Sequence, residues 1–112
     1  MIEFLGFELP EGYMENLSTH QRRFTWMVHL LVGYAYNHGY ELTYDDTFAK
    51  TGHSENSFHY KRLAVDFNLF KDGVYLTETK NHKPLGEYWE SIGGTWGGRF
   101  GKLDGNHYSY LE

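Results

Sequence analysis

The chain has 112 residues and a formal charge of −5, is 40% apolar and 19% aromatic, and contains no cysteine. That length fits one domain, expected to span residues 1–112, and the apolar share suffices for a core, which excludes wholesale disorder. The acidic balance argues against nucleic acid and against a strongly anionic membrane surface, and the missing cysteines exclude disulfides and Cys-based zinc sites.

The opening "MIEFLGFELPEG" lacks the basic region and long apolar run of a secretory signal. No stretch approaches the ~18 consecutive apolar residues of a membrane span, so no membrane insertion is expected. In "LSTHQRRFTWMVHLLVGYAYNHG", Ser18 followed by Gln21 resembles a capping box. Phe24, Met27, Val28, Leu31 and Ala35 recur at helical spacing and Gly39 suits the C-terminal cap, so a helix is expected over about 19–38. "YELTY" (40–44) reads as a short strand and residues 45–58 as a loop.

Residues 62–70 alternate: Leu63, Val65, Phe67 and Leu69 on one face, Ala64, Asp66 and Asn68 on the other. Asp66 is therefore expected on the face of a strand that points away from the core. "KDG" (71–73) predicts a hairpin turn, with "VYLT" pairing back. "KPLGEYWESIG" (83–93) reads as a helix begun by Pro84, with Tyr88 and Trp89 in the core together with Trp96. Gly-rich turns then lead to a last strand over about 106–111. Helix, strands, helix and strand in that order give an α+β fold: an antiparallel sheet flanked by helices.

Three side chains can form one site: His59, Asp66 and His107. Two imidazole nitrogens and a carboxylate oxygen suit catalytic zinc, with a fourth position open to water. Asp104, three residues before His107, can reach that water as general base or acid. On patterning alone the competing reading is solvent-exposed polar residues, with Asp104 an Asp-Gly turn residue. Glu87 and Glu90 fall on the expected second helix and read as solvated or capping, but are the next bases should Asp104 prove structural. His20, His29, His38, His53 and His82 show no partner pattern and read as structural or surface residues.

"SFHYKRLAVD" (57–66) resembles S-x-H-x-x-G-x-A-x-D, the metal motif of the zinc D-alanyl-D-alanine carboxypeptidases and L-alanyl-D-glutamate endopeptidases. Ser57, His59, Ala64 and Asp66 match it. "RLAVDFNLFKDGVY", "PLGEYWESIGGTWGGRF" and "DGNHY" resemble the phage and prophage, endolysin-like branch in the same order, over roughly residues 40–110. The resemblance implies a Hedgehog/DD-peptidase fold whose sheet carries one zinc per chain. It implies His59, Asp66 and His107 as ligands, Asp104 as the catalytic carboxylate and Ser57 in a supporting role. It also implies a peptidoglycan stem peptide as substrate. Arg62 stands where the motif has glycine, and no arginine precedes His59 where the family has one to hold the substrate carbonyl. Lys50, nearest to the expected place, and Lys61 and Arg62 are the cations left for that task, and a lysine can serve as a point charge but not as a bidentate fork.

The expectation is a monomeric zinc peptidase acting on cell-wall peptides as an L-alanyl-D-glutamate endopeptidase. It would be made in the host cytoplasm and reach the wall after holin-type release. The alternatives are a D-Ala-D-Ala carboxypeptidase and a non-catalytic metal-binding module of the same fold.

Overall fold

Apolar residues at helical spacing decide the first long element. In the computed structural model, which describes residues 2–4, 7–9, 16–46 and 61–110, helix α1 runs Leu17–Asn37. It buries Phe24, Met27, Leu31 and Ala35, as expected, and also His20, whose Nδ1 lies 2.7 Å from the Tyr110 hydroxyl. The expected capping box is absent, because the helix starts earlier, behind Asn16, with no side-chain cap. Ser18 thus falls inside the first turn, where its carbonyl accepts from Arg22 Nε. Gln21 instead donates its Nε2 proton to the Lys61 carbonyl at 2.8 Å, tying α1 to the next segment.

The sheet follows. Strands β3 (Tyr40–Asp46), β4 (Ala64–Lys71), β6 (Thr95–Trp96) and β7 (His107–Ser109) lie in the order β3-β4-β7-β6, and β5 (Val74–Leu76) also pairs with β4. All these pairings are antiparallel, so the fold is α+β as expected. Two further strands, β1 (Ile2–Phe4) and β2 (Phe7–Leu9), form an antiparallel pair of their own that no sequence signal had marked. Helix α2 spans Lys83–Ser91 with Pro84 in its first turn.

Alternation in β4 holds: Leu63, Val65, Phe67 and Leu69 are all buried. The opposite face is not uniformly open, since Ala64 is buried too, opposite the buried Ser109. The two-residue turn after β4 places Asp72 at φ 52° and Gly73 at φ 75°, both in the left-handed region that a tight I′ hairpin requires. β4 has two edges and three partners. β3 takes one edge, while β7 pairs with residues 64–66 of the other and β5 with 69–71. Between them, Phe67 N–H donates to the Asn106 carbonyl at 3.0 Å.

The helices close the core face. Trp89 of α2 is buried, donates Nε1–H to the carbonyl of Ser109 at 2.9 Å and meets Phe24 edge-on. Tyr88 stacks on Tyr34 of α1 at 4.1 Å between centroids. Among the described residues no helix is long and apolar enough to cross a membrane.

Candidate metal centre

Register alone brings Asp66 and His107 together. They are direct cross-strand partners in β4 and β7, so both side chains stand on the same face of the sheet. His107 Nδ1 lies 3.3 Å from Asp66 Oδ1, with only 6% and 14% of the two side chains exposed.

The third group comes from a turn. His107 N–H donates to the Asp104 carbonyl at 3.1 Å, which folds Asp104–His107 back on itself. Asp104 Oδ2 then lies 3.9 Å from His107 Nδ1, on a side chain that stays half exposed. One ligand atom from each of Asp66, Asp104 and His107 lies within 4.8 Å of the others. Two groups are shielded from water, and the third faces it.

Four contacts hold that turn. Asp104 N–H donates to the Gly97 carbonyl at 3.0 Å, and Gly105 N–H to Thr79 Oγ1 at 3.2 Å. The Gly105 carbonyl accepts from the buried Trp96 Nε1 at 2.7 Å. Gly97 presses so close that a Cβ there would meet the Asp104 carbonyl at 2.1 Å and His107 Cβ at 2.9 Å. Any larger residue at 97 would push the turn off the sheet. Next to the site, Tyr108 is buried and its hydroxyl lies 2.7 Å from His82 Nδ1. Burial holds His82 down to a pKa of about 4 and raises the Tyr108 phenol well above its ordinary value, so both are uncharged at neutral pH.

Of the sequence-derived residues, the structure assembles Asp66, Asp104 and His107. His59, Ser57 and Lys50 lie outside the described residues. Lys61 and Arg62 sit just before β4, and neither lines the cleft beside Asp104. Arg62 has φ 57°, a left-handed backbone that favours glycine, which explains why the motif carries glycine at that position. Glu87 and Glu90 lie apart from the centre and face Arg99 instead.

Sequence reasoning missed the supports: Gly97, Trp96 and Thr79. "TWGGRF" advertised tight turns but not which side chain they would hold. It also missed Asp46, which stands in register opposite Asp66 across a bulge in β3.

A protein-family model described as D-alanyl-D-alanine carboxypeptidase matches residues 51–110, more than half of the 112. The chain belongs to that family. The match takes in Ser57 and His59 as well as Asp66, Asp104 and His107, the three groups that the structure brings together. Membership makes the chain a peptidase-family hydrolase, in a family of metallopeptidases. No curated protein matches the chain.

The donor set suits a divalent ion of that family. An imidazole nitrogen and carboxylate oxygens are ordinary zinc ligands. A mostly buried carboxylate against a buried imidazole is also costly unless a cation or proton compensates it. The arrangement can bind a metal, hold a carboxylate beside it and admit water on the Asp104 side.

Proposed function

We propose that this chain is a zinc peptidase of the bacterial cell wall that hydrolyses peptidoglycan stem peptides. The observation that carries the reading is a half-exposed carboxylate, Asp104, beside the buried Asp66–His107 pair. A purely structural zinc has a closed ligand shell, and a carboxylate left open to solvent beside it is what hydrolysis needs. In this reading His59, Asp66 and His107 hold one zinc per chain, with Ser57 supporting the first ligand.

Zinc there supplies Lewis-acid polarisation of the scissile carbonyl and a water of lowered pKa. Asp104 accepts the proton of the attacking water at its carboxylate and delivers it to the leaving amine, base first and acid second. Gly97 holds the Asp104 backbone while Thr79 and Trp96 hold that of Gly105, so the Asp104 side chain is aimed before substrate arrives. His107 Nδ1 and Asp66 Oδ1, 3.3 Å apart, are close enough to serve as neighbouring ligands of one ion. Lys50, Lys61 and Arg62 are proposed to meet the carboxylates of the substrate.

Within the family we favour the L-alanyl-D-glutamate endopeptidase of an endolysin, with residues 1–112 as one catalytic domain acting as a monomer. It would be made in the host cytoplasm and released to the wall by a holin-type route. The family description itself favours a second reading, release of terminal D-alanine by a carboxypeptidase. Digesting purified peptidoglycan with the metal-loaded chain separates them: new L-alanine C-termini mark the first, free D-alanine the second. Full activity in a preparation stripped of metal, or no product from a zinc-loaded one, would contradict the proposal.

A further inference from the structure

Beside Asp104 lies a cleft of about 250 Å³. It sits where the edge of β4 passes from β7 to β5, and it is lined by Asn68 of β4, Tyr75 of β5, the Thr77–Thr79 stretch and the turn at Asp104. The charged groups of its lining are acidic, although one of them, Glu78, is paired with Lys80 at 3.1 Å. Glu78 and Asp104 both line it, and among the described residues no lysine or arginine does. His82, also in the lining, is uncharged at neutral pH for the reason given above.

The polar groups that remain can accept. Asn68 Oδ1 takes the Tyr75 hydroxyl proton at 3.2 Å, and Thr79 Oγ1 takes the Gly105 N–H at 3.2 Å. Each oxygen keeps a second lone pair. Along β4 the cations stand at its two ends: Arg62 precedes Asp66 by four residues, roughly 13 Å of extended chain, and Lys71 closes the strand with its Nζ over the Tyr40 ring at 5.2 Å. Among the described residues the charges that line the cleft are thus acidic, while Lys61 and Arg62 stand together at the entry to β4.

We propose that the cleft is an ammonium subsite, which takes the protonated side-chain amine of a diamino acid in the stem peptide. This rests on the peptidase reading and adds to it a substrate class and a direction of binding. An ammonium brings three donors and a positive charge to a pocket that offers acceptors and negative charge, and such charge-assisted bonds are the stronger kind. A carboxylate in the same place would meet Glu78 and Asp104 with like charge. The carboxylates of the peptide therefore lie toward Lys61 and Arg62.

The test is binding of two stem tripeptides to the full chain, followed by calorimetry: one with the side-chain amine free, one with it acetylated. The free amine should bind at least about ten-fold more tightly, equivalent to roughly 1.4 kcal/mol. Glu78→Gln should collapse that preference to less than about three-fold. The Glu78 side chain is 63% exposed and glutamine keeps its hydrogen-bonding capacity, so the fold should stand. Lys80→Gln should widen the preference, because Lys80 Nζ offsets Glu78 from 3.1 Å. Added salt should narrow it. Equal affinity for the two peptides, tighter binding of the acetylated one or binding of neither overturns the subsite. Hydrolysis of peptidoglycan is scored separately. Cleavage with no amine preference keeps the peptidase and removes the subsite, whereas selective binding without cleavage does the reverse.

Discussion

Among the described residues, two places set a pair of carboxylates beside a nitrogen group. On the sheet these are Asp66, Asp104 and His107; on α2 and the turn after β6 they are Glu87, Glu90 and Arg99. The second cluster is complete in itself. Arg99 meets both Glu90 oxygens at 3.1 Å, Glu87 is 4.0 Å away, and half of the Arg99 side chain is in water. The Glu90 hydrogen bond, then its charge, raises the Arg99 pKa, so that cation is permanent. The sheet cluster has an imidazole in place of the guanidinium and hides two of its three side chains. Its negative charge meets a base that is charged only when protonated. Burial of a carboxylate together with an imidazole is what distinguishes this candidate site from a surface ion pair.

That contrast can be broken most severely at the ligands. His107→Ala, or His59→Ala, should abolish zinc binding and hydrolysis together and lower thermal stability, since metal affinity here is folding free energy. Mass spectrometry of the native protein and a melting curve would show it. Either variant holding a full zinc equivalent would remove that residue from the centre.

A smaller effect is expected from the neighbouring buried pair. His82 titrates at about 4 in the fold against an ordinary 6.5, so the unfolded chain binds more protons between those values. Stability should therefore be full above pH 6.5 and fall as the pH drops toward 4, by about 3 kcal/mol at most. Chemical unfolding from pH 7 to 4 should show that loss in the parent and a flatter profile in His82→Gln. Parallel profiles would mean that His82 does not carry it.

Smaller again is the change at Arg62. Left-handed backbone costs a side-chain-bearing residue about 1–2 kcal/mol, and glycine gives back part of that in entropy. Arg62→Gly should stabilise the fold by about 1 kcal/mol or less, read from the urea midpoint. A clear loss of stability would mean that the arginine side chain makes contacts worth more than the strain. The least effect belongs to the exposed cluster: Glu90→Gln should leave zinc content and hydrolysis unchanged. If it slowed hydrolysis as a missing base would, the two clusters would have been assigned the wrong way round.

Much of this was readable beforehand, because it rests on local rules. Period-two burial from Leu63 to Leu69 and helical spacing from Phe24 to Ala35 are imposed by apolar residues that had one place to go. The Asp72–Gly73 turn follows from its chemistry. Asp66, Asp104 and His107 were legible as residue types, yet their meeting depends on β7 pairing with β4 across some forty intervening residues, which no local pattern sets. Non-local competition also undid the Ser18–Gln21 cap, whose glutamine is bonded to Lys61 instead. The two-residue strand β6 and the grip of Gly97, Trp96 and Thr79 on the turn were hidden for the same reason: they exist only once the strands are side by side.

The central claim is that Asp104 is the base of a peptidase and not merely the first residue of a turn. Asp104→Asn keeps the turn, whose hydrogen bonds use the backbone of residue 104, and should leave zinc content and melting temperature nearly unchanged. Hydrolysis of purified peptidoglycan should nonetheless fall by about 10²–10⁴-fold in kcat, the usual cost of losing general acid–base catalysis. A variant that retains its zinc and cleaves as fast as the parent would contradict the account.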